Sequence, residues 1–281
     1  MDNFRRTALG GLGQTCAMMG LPLPQIANTT LNEKLSIQAS ATLGINETPR
    51  AKYMCIGIGG HQGTVGADGI LLIGSAQHRP TDNALFRMMP FVMRPLANDL
   101  TATERQRYAL RRIENHKGMD YAVYYLRRLD LTNVVPKLQK INITNGVTTT
   151  SDYTPTSGDL SPVPPALNTG GSNTVTGEFI AAVARVTVNF DTMDATEILN
   201  AAMVLFDSEE YAIISEMGFV SGVDRSVTVT DPNGALVYDE CINAQIVTHI
   251  ATLQKLVANR NGFESVFDVG ATEPMYNLTT P

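Results

Sequence analysis

The chain has 281 residues, 43% of them hydrophobic and 17% charged, with a formal net charge of −6 and a pI near 5.2. That apolar content suffices for one sizeable core or two small ones, and the acidic total excludes an overall polybasic nucleic-acid binder. No run approaches the roughly 18 apolar residues that a membrane-crossing helix needs.

The total conceals a split. Residues 1–140 hold 17 Lys and Arg against 10 Asp and Glu, a balance of +7, whereas residues 141–281 hold 4 against 17, a balance of −13. Each half is an electrostatic complement of the other, within one chain or between neighbours. Three widely spaced cysteines, Cys16, Cys55 and Cys241, form no C-x-x-C pair and indicate reduced thiols. Arg5-Arg6 ahead of Ala8 to Leu23 has the outline of a twin-arginine export signal, but Gln14 and Thr15 interrupt the run and no small-residue cleavage site follows.

In chain order, residues 1–50 are dense in Gly and Pro and read as an extended arm with at most one strand. Tyr53 to Ile58 and Ile70 to Ile73 read as buried strands on either side of a glycine-rich turn. Pro80, Pro90 and Pro95 limit Ala84 to Met89 to a short helix. Thr101-Ala-Thr-Glu104 is a capping box, and the spacing predicts a helix from there to about His116, closed by Gly118. Ala122, Tyr125, Leu126 and Leu129 fit a second helix, while the tyrosines of Tyr121 to Leu126 favour a strand instead.

Of the 36 residues from 142 to 177, 26 are Asn, Thr, Ser, Pro or Gly, so this segment reads as a long loop that a partner subunit would hold in order. Glu178 to Phe190 alternates as a strand, and a helix opens near Asp194. Val227 to Thr230 and Ala235 to Tyr238 flank Asp231-Pro-Asn-Gly234 as a β-hairpin. Ala244 to Val257 fits either helix or strand, and Phe263 to Pro281 has no clear pattern. The expected fold class is α+β, with mixed helices and mainly antiparallel strands, an extended N-terminal arm and a long ordered loop. Its parts are the arm at 1–50, a basic α+β part at 51–141, the loop or insertion at 142–177, and an acidic α+β part with a hairpin at 178–281.

The loop Gly57 to Gly69 follows a strand, as a dinucleotide fingerprint would, but its spacing is not G-x-G-x-x-G and no helix opens after it. It reads as a turn, with a small-ligand or phosphate site as the alternative. His61, Asp68 and His78 lie close in sequence without metal-ligand spacing. The acids Asp191, Asp194 and Glu197, and Asp207, Glu209 and Glu210, stand where helices would begin, so capping explains them better than paired-carboxylate catalysis. No serine sits in G-x-S-x-G. No catalytic, cofactor-binding or metal-ligating residue is therefore expected. The candidate interface is the basic cluster Arg105, Arg107, Arg111, Arg112, Arg127 and Arg128, with an acidic protein surface favoured over nucleic acid because Glu104, Glu114, Asp120 and Asp130 are interleaved.

The arm at Gly10–Pro24, the polar loop at Thr144–Gly177, and the run Asp194-Ala-Thr-Glu-Ile-Leu-Asn-Ala-Ala-Met-Val-Leu-Phe206 leading into Ser208-Glu-Glu-Tyr-Ala-Ile together resemble a virion structural protein of tailed bacteriophages. In style the layout is most similar to baseplate, tail and neck components of contractile-tailed phages. The resemblance implies a non-enzymatic subunit of a symmetric particle, assembled in the host cytoplasm. Its arms and insertions would clasp copies of itself and other virion proteins. A capsid or head-decoration protein is the alternative within that class.

Overall fold

A computed structural model describes residues 3–162, 174–232 and 234–276. About half of the described residues are strand (49%) and 19% are helical, so the α+β expectation holds in its coarse form with the weight on β. The chain divides into two compact units, one of Met1–Asp130 with Phe190–Phe263, the other of Leu131–Asn189 with Glu264–Pro281. These cuts differ from the sequence-based ones, because strands far apart in sequence pair within each unit.

The first unit is organised by an eight-stranded sheet. Its strands are β1 (Asn3–Arg6), β2 (Arg50–Gly57), β5 (Met88–Met89), β6 (Val92–Pro95), β7 (Tyr108–His116), β8 (Met119–Arg128), β12 (Ile213–Asp231) and β13 (Gly234–Lys255). The order along the sheet is β1-β13-β12-β2-β8-β6, with β5 added on β2 and β7 on β8, and the pairings are antiparallel. The 19 and 22 residues of β12 and β13 form one hairpin interrupted by three register shifts, between Ile214 and Glu216, Phe219 and Val220, and Ser221 and Val223. Such bulges bend a strand and raise its twist, which lets strands this long curl around a core. Inside lie Tyr53, Met54, Ile56, Phe91, Tyr108, Tyr124, Phe190, Met217 and Ile246, all fully enclosed. Phe91 stands 6.1 Å from Phe190, and Phe190 stacks at 4.4 Å on Phe263.

Helices cover this sheet on β6 and on β13. Helix α4 (Thr192–Phe206) packs on β6 and buries Ile198, Leu199, Ala201 and Ala202. Helix α1 (Ala8–Met19) lies on β13 with Leu9 and Cys16 buried, and short α2 (Leu31–Leu35) also packs on β13 through Leu31, Asn32 and Leu35. The N-terminal region is thus not an extended arm. Thr7 caps α1, Thr30 and Glu33 form a capping box for α2, and β1 pairs with residues 248–251 of β13. The glycines of α1 are tolerated because the sheet beneath it, rather than propensity, fixes the helix. No helix among the described residues is long and apolar enough to cross a membrane.

The helix expected from Thr101 to His116 is a second correction. The capping box is present, Thr101 Oγ1 accepting from the Glu104 amide, but helix α3 spans only Ala102–Arg105. Tyr108–His116 is a strand, and Lys117-Gly118, with φ of 51° and 83°, turns it into β8. Residues 84–89, read as at most a short helix, instead hold β5 at Met88–Met89, which is laid on β2.

The second unit is a four-stranded sheet in the order β10-β9-β11-β14, of β9 (Lys137–Thr144), β10 (Val147–Asp152), β11 (Thr174–Phe190) and β14 (Phe263–Tyr276). The segment expected to be a long loop begins as the β9–β10 hairpin, turned at Asn145-Gly146 with φ of 52° and 78°; its residues 163–173 lie outside the described residues. Ala181, Val183, Val186, Val188 and Phe267 are buried here, and Arg185 grips Asp268 through two bonds of 2.8 and 2.9 Å.

Candidate functional site

The six arginines of the candidate interface do not form a basic patch, because the chain's own acids and carbonyls occupy them. Arg105 and Arg111 converge on Asp99, at 3.4 and 2.9 Å, and Asp99 also accepts from Tyr124 Oη at 2.8 Å. Arg107 and Arg127 meet at Asp194, at 3.2 and 3.0 Å, where Tyr108 Oη donates to the other carboxylate oxygen at 2.8 Å. Arg128 donates to Asp224 at 2.9 Å and to the Asp239 carbonyl at 2.8 Å. Arg112 pairs with Glu114 at 2.6 Å and caps the Leu35 carbonyl at 2.8 Å.

Several of these bonds join the basic half of the sequence to its acidic half, and Arg94 with Glu197, Lys52 with Asp224 and Lys117 with Asp207 do the same. Asp191 accepts from the Asp194 amide as the cap of α4, while Asp207 closes that helix in the left-handed conformation. Asp191 and Asp194 thus cap the start of α4 as read, whereas Asp207 stands at its end, Glu197 lies inside it on Arg94, and Glu209 and Glu210 follow Ser208, which caps their short turn; Asp194 anchors arginines as well. Asp194 is fully buried, and desolvation lifts its carboxyl above the ordinary range in spite of Arg127, Tyr108 and Arg107.

The glycine loop is built differently from the buried strand pair the sequence suggested. After Gly57 the chain makes a separate two-stranded hairpin, β3 (His61–Val65) with β4 (Leu71–Ser75), in which Asp68 Oδ1 accepts from the Ile70 amide at the tip. Four large apolar residues of this hairpin are exposed: Val65 is 67% exposed, Ile70 58%, Leu71 60% and Ile73 48%. At its root, the Gly59 amide donates to Glu216 Oε1 at 2.9 Å and the Gly60 amide to Ser215 Oγ at 3.0 Å. Donors that a phosphate would need are thus already engaged, one of them by a buried carboxylate that would repel it.

His61, Asp68 and His78 are not brought together: His61 lies on β3, Asp68 at the tip, and His78 is buried on Glu216 at 2.7 Å. Among the described residues no group of three His, Cys, Asp or Glu stands in metal-holding geometry. The first unit also has concavities among its described residues. A cleft of about 690 Å³ between α1 and the 45–51 segment is lined by Leu9, Ala17, Leu21, Ile45 and Pro49, and a pocket of about 250 Å³ at the hairpin root is lined by His61, Ile73, Ser75, Thr252 and Leu253.

Sequence reading missed the buried acids of the sheet. Glu216 and Glu240 are both fully enclosed on β12 and β13. Glu240 receives the amides of Leu110, Arg111 and Cys241, at the point of β7 where Leu110 takes a φ of 53°. The available signal was a single charge inside an otherwise apolar strand, as in Ile213-Ile-Ser-Glu-Met-Gly-Phe-Val220.

Residues 1–280 match the model of a family of unknown function, DUF7208. No curated protein and no solved structure matches the chain.

Proposed function

We propose that this chain, which belongs to the DUF7208 family, is a non-enzymatic structural subunit of a tailed-phage virion, in its tail, baseplate or neck. The observation that carries the reading is the β3–β4 hairpin, whose Val65, Ile70, Leu71 and Ile73 stay largely exposed on a two-stranded sheet of their own. Contiguous apolar surface of this kind costs solubility in a free monomer and is repaid when a neighbouring subunit covers it. The internal use of the arginines supports the same reading, since it leaves apolar contact as the main adhesive. The layout that resembles phage structural proteins adds the class of particle.

Two measurements test it. In lysates of the source virus the chain should co-sediment with purified particles at a fixed molar ratio to the other structural proteins; recovery only in the soluble fraction overturns the reading. A Leu71→Asp, Ile73→Asp double variant should keep the monomer's circular dichroism and melting behaviour yet fail to enter particles. Normal incorporation would remove the hairpin from the argument. Electron density of the same particles separates a tail, baseplate or neck position from a place on the shell.

A further inference from the structure

We infer that Glu216, His78 and His249 form an acid-operated latch on the neck of the 58–87 excursion that carries the exposed hairpin. The excursion leaves the sheet at the end of β2 and returns at β5, where Met88 and Met89 pair with Gly57 and Ile56. One side chain holds both legs. Glu216 Oε1 accepts the amides of Gly59 and Arg87, each at 2.9 Å, and Oε2 accepts the Phe86 amide at 2.9 Å and His78 Nε2 at 2.7 Å. The fit is close: a Cβ at Gly57 would lie 2.5 Å from Glu216 Oε1, and one at Gly60 2.4 Å from the Ser215 carbonyl oxygen. Release of this carboxylate would loosen both legs together, leaving the Ile58 amide on the Arg87 carbonyl at 2.9 Å as the bond between them.

The trigger is the histidine stack. The buried His78 ring lies between Phe86, at 3.8 Å, and His249, at 3.9 Å, with its Nδ1 3.4 Å from Asp82 Oδ2. His249 Nε2 stands 2.9 Å from the Asp82 carbonyl, which only accepts, so the neutral ring carries its proton on Nε2. Its Nδ1 is enclosed and has no hydrogen-bond partner among the described residues. A second proton there would face no acceptor and would put a cation flat against His78. Burial accordingly holds His249 below the ordinary histidine range.

Other charged groups surround the cluster without supplying that acceptor. Arg79 is engaged with Asp82 at 3.0 Å, Arg5 lies opposite His249 in register, the Arg87 guanidinium sits over the Phe206 ring, and Cys55 is a buried thiol whose titration burial pushes up. Burial also raises Glu216, but His78 and the three amides outweigh it, so Glu216 stays ionised in mild acid. The sign follows. A histidine depressed in the closed state binds its proton more readily once the neck opens, so opening gains as pH falls below the ordinary histidine value near 6.5. The single proton taken up by His249 contributes at most roughly tenfold between pH 7.5 and 5.5.

Hydrogen exchange on the full-length chain, corrected for intrinsic rates, reads this directly. Protection of the Gly59, Phe86 and Arg87 amides should fall about tenfold from pH 7.5 to 5.5, while the β7–β8 amides keep theirs. His249→Phe retains the stack without the titration and should abolish the pH dependence; His249→Gln, which keeps a donor toward Asp82, should do the same and serves if the phenylalanine variant does not fold. Glu216→Gln should lower protection of the neck at both pH values. PH-independent protection in the wild type, or an unchanged pH dependence in the His249 variants, overturns the latch. The latch belongs to this chain by itself and does not depend on what the chain assembles into.

Discussion

Asp194 shows how much one buried carboxylate can organise. It closes the α4 capping box and receives Tyr108, Arg107 and Arg127, although it is fully enclosed. Replacing it with Asn keeps the shape but removes the buried charge that Arg107 and Arg127 face, and breaking a buried pair on one side costs about 3–5 kcal/mol; Arg107 keeps Asp191 at 2.8 Å, so urea denaturation of Asp194→Asn should show a loss toward the lower end of that range. Exposed Lys117 and Asp207 make the contrast, since both are largely solvated and Lys117→Ala should leave the urea midpoint where it is. Asp224 sets the acid side. Burial raises its carboxyl, but Lys52, Tyr53 and Arg128 bring it below the ordinary range. A depressed carboxylate stabilises above its unfolded value near 3.9 and loses that contribution as pH falls through the folded value. Asp224→Asn should therefore flatten the acid limb of stability below about pH 4, as followed by midpoint against pH.

At the scale of elements, Leu110 of β7 ties local backbone strain to a distant strand. Leu110 holds a left-handed backbone because Glu240 on β13 draws in its amide and that of Arg111. Glu240→Ala leaves buried amides without acceptors, each worth about 1–3 kcal/mol, whereas Glu240→Gln keeps one acceptor oxygen and should cost less; comparing the two denaturation midpoints checks the account. These elements also show what was legible. The Thr101 capping box, the Asp231 to Gly234 hairpin and the strand Glu178 to Phe190 could be read because each signal is local. Tyr108 to His116 was misread because Ala, Leu, Arg and Glu favour a helix in isolation, while pairing with β8 decided the matter. Lys117-Gly118 and Asn145-Gly146 were turn signals with the required left-handed pairs, passed over in favour of a helix stop and of bulk composition. The site was less legible still: Glu216 meets donors from residues 59, 78, 86 and 87 across more than 120 positions of sequence, and no spacing rule encodes that meeting.

At the scale of the whole molecule, the split between a +7 half and a −13 half suggested that copies attract one another through opposed surfaces. In the folded chain much of that opposition is spent inside the first unit, through Asp191, Asp194, Glu197, Asp207 and Asp224. Association with neighbours should therefore depend weakly on ionic strength, since charge pairs within a subunit are present before and after assembly. Sedimentation velocity from roughly 0.05 M to roughly 1 M salt, a range that shortens screening from well above 10 Å to about 3 Å, should leave the assembled fraction nearly constant or raise it. Dissociation at the high end would restore charge as the adhesive between subunits.

The pairing of β1 with β13 also sets a timetable. Arg6 and Thr248 are register partners, so a ribosome adds about 240 residues after the first strand before its docking edge exists. At 5–20 residues per second that interval is roughly 12–50 s. Throughout it α1 has no surface to lie on, and Leu9 and Cys16 stay open to chaperones. Nascent chains arrested before β13 emerges should be bound by a chaperone through residues 3–19, and chains arrested after it should be released. The last long strand of the first unit thus completes its beginning.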